Sequence, residues 1–284
     1  MSAMAKEDRK EMNGSIDLIK AREYVTGLIP QAGEILRRYF ASQDFTQRKK
    51  EGVDFTTQAD EEVDAFLREN IKRQYPQTNF LTEEAAPEDY SPLKQVDNLW
   101  VIDPLDGTIN FSRKHPNFAI SVGLVDKGIP KLGVVYVPVT QDIYYAQADQ
   151  DDAFFNGKPI HVSLTENIGE AVIGCDWAWG LEKRLNVVRW LGNISTQVRQ
   201  IKSMGSAVSD LASLAGGRID AYLHSGLKPW DVAASSLLIE KAGGRITTPT
   251  GSNWDVFQPD ILASNGILHE RILDLISERG GKTS

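Results

Sequence analysis

The sequence predicts an α/β protein: an α+β N-terminal half followed by an α/β C-terminal half. Three observations carry that prediction. Helical periodicity fills residues 15–40 and 57–75. Three strand-like runs then follow one another between residues 118 and 148. From about residue 171 onward, strands and helices alternate, the pattern of a sheet covered by helices.

From Ser15 to about Phe40, Ile19, Val25, Leu28, Ala32, Ile35, Leu36 and Tyr39 recur at helical spacing. Pro30 lacks an N–H and is expected to kink or divide that helix. A loop with Lys49, Lys50, Gly52 and Asp54 follows. The second helix starts near Thr57–Asp60, turns Val63, Phe66, Leu67 and Ile71 inward, and closes at Pro76. Asn79–Thr82 reads as a short strand that ends at Glu83 and Glu84, and Leu99–Ile102 as a buried one. Phe118–Val125, Lys131–Val137 and Ile143–Ala148, separated by turns at Asp126–Gly128 and Pro138–Asp142, form an antiparallel meander.

Beyond Gly157 the expected order is a strand at Ala171–Gly174, a helix at Leu181–Asn193 and a strand at Arg199–Lys202. A helix opened by Gly205-Ser206-Ala207, a strand at Ile219–Leu223 and a helix from Pro229 to Ala242 come next. Strands at Gly244–Thr248 and Ile261–Ala263 and a terminal helix to about Glu278 complete the chain. No internal repeat is found. The expected division is a disordered tail at 1–14, halves at 15–157 and 158–279 without a flexible linker, and a second tail at 280–284.

Composition narrows the function classes. Among 284 residues, 41% are hydrophobic and 25% charged, which is ordinary for a globular domain. The net charge is −8 and the longest basic cluster, Arg48-Lys49-Lys50, is followed at once by Glu51, so no nucleic-acid footprint is expected. No apolar stretch approaches membrane-spanning length, and Met1–Ser15 is too polar for a signal peptide. The single Cys175, in the apolar run Val172–Cys175, excludes an internal disulfide and reads as a packed core residue. A reducing cytoplasm is the expected location.

The chemistry concentrates in W-V-I-D-P-L-D-G-T-I-N-F, Trp100–Phe111. A buried strand ends in two carboxylates, Asp103 and Asp106, with Pro104 stiffening the turn between them. Gly107 and Thr108 then lead into a turn or helix whose free N–H groups would seat an anion. Carboxylates repel phosphate, so acids beside an anion seat make sense when metal lies between them. Hard oxygen ligands of this kind suit magnesium. Asp231 and Asp60 each stand in a first helical turn, where dipole compensation or capping explains an acid equally well. Glu83 and Glu84 could be ordinary exposed acids. Still, Glu83, Asp103 and Asp106 all follow apolar strands, where sites of layered α/β sheets gather.

Trp100–Phe111 resembles the first signature of the inositol monophosphatase family, and P-W-D-V-A-A-S-S-L-L-I-E-K-A-G-G (Pro229–Gly244) resembles the second. V-D-F-T-T-Q-A-D (Val53–Asp60), L-T-E-E (Leu81–Glu84) and G-S-A (Gly205–Ala207) extend the match in the same order, over roughly residues 20–275. The resemblance implies a layered α/β/α/β/α sandwich, shared with fructose-1,6-bisphosphatase. It also implies a lithium-sensitive phosphatase with two or three magnesium ions per site, and a homodimer.

Residue by residue, the resemblance implies that Glu83, Asp103 and the Leu105 carbonyl hold one magnesium, while Asp103, Asp106 and Asp231 hold a second. Gly107 and Thr108 would seat the phosphate, Asp106 and Asp231 would also border the substrate, and Asp60 would pair with Thr108 to orient the attacking water. Ser206 and Ala207 match a stretch lining the substrate pocket, and Lys49 a loop lysine near the metals. Two positions depart from the pattern. His224 stands where inositol-cleaving members usually carry an acid, and Ser235 replaces a frequent glycine.

The implied reaction is hydrolysis of a small phosphorylated metabolite, with myo-inositol monophosphate leading. Histidinol phosphate, fructose 1,6-bisphosphate, 3′-phosphoadenosine 5′-phosphate and NADP are the other substrates to test. A phosphatase with an aspartyl-phosphate intermediate would place its two acids one residue apart, unlike Asp103 and Asp106. An inactive homologue serving as a binding or regulatory subunit would be expected to lack a metal acid. Glu83, Asp103, Asp106 and Asp231 are all present.

Overall fold

Side chains along strand β4 (Leu99–Asp106) alternate between two cores, and that alternation reveals the layering. Leu99 and Val101 enter one hydrophobic cluster; Trp100 and Ile102 enter another on the opposite face. The computed structural model describes residues 16–42, 46–49 and 55–277, without the side chains of 47–49 and 55–56. The tails expected at 1–14 and 280–284, and Lys50, Gly52, Val53 and Asp54, lie outside the described residues.

Helices α1 (Leu18–Ser42) and α2 (Gln58–Gln74) cover one face of a seven-stranded sheet. Its strands run in the order β3 (Asn79–Thr82), β4, β5 (Ala119–Asp126), β6 (Ile129–Val137), β7 (Asp142–Gln147), β8 (Ala153–Phe155) and β9 (Lys158–Ile160). All neighbours are antiparallel except β3 and β4. The fold also contains a two-stranded ribbon, β1 (Gln47–Lys49) and β2 (Phe55–Thr57), and the five-residue α3 (Thr108–Ser112).

The second sheet has five strands: β10 (Val172–Cys175), β11 (Gln200–Lys202), β12 (Ala221–Ser225), β13 (Arg245–Thr247) and β14 (Asp260–Ser264), ordered β11-β10-β12-β14-β13. On one face its Ala221, Leu223 and Leu262 join Ile194 of α4 (Leu181–Ile194) and Ile272 and Ile276 of α7 (His269–Ile276). On the other face Tyr222, Ile261 and Ala263 join α5 (Ala207–Ala215) and α6 (Pro229–Lys241). Those two helices also pack on Leu99, Val101 and Val135 of the first sheet. The fold is therefore an α/β/α/β/α sandwich whose middle layer is α5 and α6, as the resemblance implies.

The middle layer is set by two glycines. A Cβ on Gly133 would lie 2.3 Å from the Ala234 carbonyl oxygen, and one on Gly123 would lie 2.9 Å from Ala233 Cβ. Only glycine lets α6 approach β5 and β6 this closely, and α6 carries Asp231.

Three local expectations change. Pro30 does not divide α1, which runs unbroken from Leu18 to Ser42. Burial of Leu28, Ile29 and Ala32 against the sheet offsets the roughly 3 kcal/mol that proline costs inside a helix. The stretch expected as a loop carries β1 and β2, paired from Gln47↔Thr57 to Lys49↔Phe55. Finally, β8 and β9 form a hairpin across Asn156-Gly157, both at positive φ, so the first sheet runs to Ile160 and past Gly157. Cys175 is buried, as expected. Among the described residues no helix is long and apolar enough to cross a membrane.

Candidate active site

Residues three apart on a regular strand point to opposite faces, yet Asp103 and Asp106 serve the same side. The register shows how: Asp103 pairs with Ser121 and Asp106 with Ala119, so β4 holds one residue more than β5 between those pairs. That bulge at Pro104-Leu105 turns Asp106 back toward the middle layer. There Asp106 Oδ2 accepts from Ser206 Oγ at 2.5 Å and from Val208 N at 2.8 Å, both at the start of α5. Asp103 is buried, and its Oδ1 accepts from Leu105 N at 3.0 Å. Asp231, in the first turn of α6, accepts from Lys228 N at 2.8 Å.

One carboxylate oxygen from each of Asp103, Asp106 and Asp231 lies within 4.8 Å of the others. Burial, then the charges of Glu83, Asp106 and Asp231, hold Asp103 well above the ordinary carboxylate range. Burial, then Asp106, does the same for Asp231. Asp106 is pushed up to about 7, chiefly by burial, against the hydrogen bonds from Ser206 and Val208. Three hard oxygen donors that raise one another's proton affinity fit a divalent cation, whose charge would offset both burial and repulsion. Glu83 and Glu84 fall in a single 3₁₀ turn after β3 and are half-buried. Glu83 acts on all three aspartates through its charge, but it is not part of the tight cluster.

Asp60 combines the two roles that the sequence left open. It completes a capping box at the start of α2, its Oδ2 accepting from Thr57 N at 3.0 Å and from Thr57 Oγ1. Its Oδ1 accepts from Thr108 Oγ1 at 3.4 Å. Thr108 Oγ1 also lies 3.2 Å from the Leu105 carbonyl oxygen, so its one proton is shared between two acceptors. Burial foremost, then Glu84 and Glu83, pushes Asp60 up to about 7, against the Thr57 hydrogen bonds. Gly107 precedes α3 at φ +92°, and a Cβ there would lie 3.0 Å from the Asn117 carbonyl and 3.2 Å from that of Gly205.

The remaining expected residues divide. Ser206 caps α5 through Ser209 N at 3.3 Å and grips Asp106, so its hydroxyl is engaged with that carboxylate. Ala207 follows it, buried. His224 is buried on β12; its Nδ1 has no hydrogen-bond partner, and burial pushes the imidazole down to about 4. The Ser235 hydroxyl is likewise buried without a partner. Lys49 ends β1, and its side chain lies outside the described residues.

Two acids went unread. Asp176 directly follows β10 and receives hydrogen bonds from Ser203 and Gly205. Asp210 on α5 is pushed up to about 8 by burial and then by Asp176 and Asp106. The signal for Asp176 was present: it follows an apolar strand, like Glu83 and Asp103.

A cluster of carboxylates this close could hold a cation, and a cation beside the Gly107 turn would suit an anionic substrate. The fold and site thus define a metal-dependent phosphatase class. Within it, the chain belongs to the inositol monophosphatase family, whose model matches residues 19–280.

Among relatives, a fructose-1,6-bisphosphatase/inositol-1-monophosphatase from Thermotoga maritima is 31% identical, covering 90% of this chain and 96% of its own. An inositol-1-monophosphatase from Synechocystis is 34% identical over 90% of this chain and 88% of its own. The solved structure of the Thermotoga maritima IMPase superposes with a TM-score of 0.81 at 31% identity, over 90% of this chain and 96% of that one.

Proposed function

We propose that this protein hydrolyses myo-inositol monophosphate to inositol and phosphate with magnesium as cofactor. The convergence of Asp103, Asp106 and Asp231 next to the Thr108–Asp60 pair supports the hydrolysis, and relatives named inositol-1-monophosphatase support the choice of substrate. Asp103, Asp106, Asp231, Glu83 and the Leu105 carbonyl are the groups that would hold magnesium. Magnesium supplies charge neutralisation of the phosphate and polarisation of the water that attacks it.

The chain's own groups then have distinct tasks. When the Thr108 hydroxyl donates to Asp60, its lone pairs accept a proton of the attacking water and aim that water's oxygen. Asp60, with a carboxyl poised near neutrality, is suited to take up a proton through Thr108. Backbone N–H groups after Gly107 would be the seat for the phosphate, and the buried floor formed by Asp103 and Leu105 would exclude bulk water.

A homodimer in the cytoplasm is part of the same proposal. Leu181, Leu185 and Val188 form an exposed stripe on α4, with Trp177 and Trp179 exposed beside it, a surface suited to a second copy. The test of function is phosphate release with magnesium from five substrates: inositol monophosphate, histidinol phosphate, fructose 1,6-bisphosphate, 3′-phosphoadenosine 5′-phosphate and NADP. Inositol monophosphate should give the highest kcat/KM. A higher value for any other substrate reassigns the specificity, and no release from any substrate with magnesium present overturns the activity.

A further inference from the structure

Asp176 meets the metal cluster at second hand. Its Oδ1 accepts from Ser203 Oγ at 2.6 Å and from Gly205 N at 3.3 Å. Its Oδ2 accepts from Gly205 N at 3.2 Å and from the Tyr222 hydroxyl at 3.5 Å. The N-terminal half grips the same loop from the other side. The Met204 carbonyl accepts from Asn110 Nδ2 at 2.7 Å and from Asn117 Nδ2 at 3.0 Å. Gly205 itself sits at φ +75°, where a Cβ would lie 3.0 Å from the Asn110 amide. Residues 203–205 are therefore pinned on both sides, with no slack for a side chain at the centre.

The residue that follows this loop is Ser206, whose hydroxyl holds Asp106 Oδ2 at 2.5 Å. A carboxylate fixed at one oxygen presents its other lone pairs in a fixed direction, and partners of this kind tune metal affinity. We propose that Asp176 is a positioning residue for the metal ligand Asp106, acting through Ser203, Gly205 and Ser206. The proposal rests on the reading that Asp106 holds the metal. Without the Asp176 carboxylate, Ser203 Oγ and Gly205 N lose their acceptor, the loop gains freedom, and Ser206 no longer fixes the angle of Asp106. Asp176 touches neither substrate nor metal in this scheme, so its loss weakens metal binding and leaves substrate affinity at saturating metal unchanged.

The test titrates Mn²⁺ into metal-free protein by calorimetry, with no substrate present. Direct hydrogen-bond partners of metal ligands typically contribute 10–100-fold in affinity, so Asp176→Ala, one link further out, should raise the Mn²⁺ Kd about 3–10-fold. Ser203→Ala removes one arm from an exposed position and should shift the Kd the same way by about twofold; it carries the test if Asp176→Ala fails to fold. KM for substrate at saturating magnesium should stay at the wild-type value in both. An unchanged Mn²⁺ Kd in the folded variants overturns the proposal, as does a raised KM with unchanged Kd. A wild type that binds no Mn²⁺ overturns the metal reading itself, which keeps the two failures apart.

Discussion

The Thr108 hydroxyl lies 3.4 Å from Asp60 Oδ1, joining the first residue of α3 to the first turn of α2 across 48 positions of sequence. Neither residue belongs to the tight carboxylate cluster, so in the proposed mechanism the pair would act on water without drawing on the groups that would hold metal. Thr108→Ala should lower kcat about 10²–10⁴-fold, the usual contribution of a positioned proton-transfer group, with KM nearly unchanged. Steady-state kinetics at saturating magnesium decides it, and a change in KM alone would recast Thr108 as a phosphate-binding residue.

Asp106→Asn and Asp231→Asn should each lose most of kcat and raise the magnesium concentration for half-maximal rate. The charge removed lies where cation binding must offset carboxylate repulsion. Circular dichroism should show the fold intact in both. Wild-type turnover in both variants would place the reaction elsewhere.

Metal-free protein should lose stability as pH rises. Burial, foremost, pushes Asp60 and Asp106 up to about 7 and Asp210 up to about 8 when folded, above the ordinary carboxylate value they regain on unfolding. Between those values the folded state binds more protons than the unfolded one, so the free energy of unfolding falls with pH and goes on falling through about 8, where Asp210 titrates. His224 and His269, both pushed down to about 4, work in the opposite sense below about 6.5. The window from pH 6.5 to 8 therefore isolates the tail of the acid effect. Thermal melts should show a lower Tm at pH 8 than at 6.5 without metal. Magnesium at about 100 times its Kd should restore about 2.7 kcal/mol at pH 8. A metal-free Tm that climbs over this window would contradict the assigned protonation states.

Gly133→Ala should be costly although it adds only one methyl. The new Cβ would overlap the Ala234 carbonyl, and overpacking of this kind typically costs about 1–3 kcal/mol. Because α6 carries Asp231, the displaced helix should also raise the magnesium concentration needed for activity. Chemical denaturation measures the first effect and a magnesium titration the second. A variant as stable as wild type would show that the two layers can separate freely.

Much of this was legible in the chain itself. Apolar runs bounded by turns gave β4 to β7, and strand-helix alternation gave the second sheet, because burial on both faces imposes those patterns directly. The acids of the site were found through motif and resemblance. The β8–β9 hairpin was missed although Asn156-Gly157 is a strong hairpin signal, since strands of three residues carry almost no periodicity. Asp176 and Asp210 escaped for a different reason. What matters for Asp176 is which hydroxyl and amide face it, and Ser203 is 27 residues away; for Asp210 it is burial beside Asp176 and Asp106, which are distant in sequence.

The division of the clustered acids between layers has a consequence for assembly. Asp103 and Asp106 precede the exposed Leu164, whereas Asp231 follows it on a helix buried from Val232 to Ile239. A chain severed at Leu164 would leave each fragment with an incomplete ligand set and an uncovered apolar face. Divalent-ion binding would then report fragment reunion, making this enzyme its own complementation sensor.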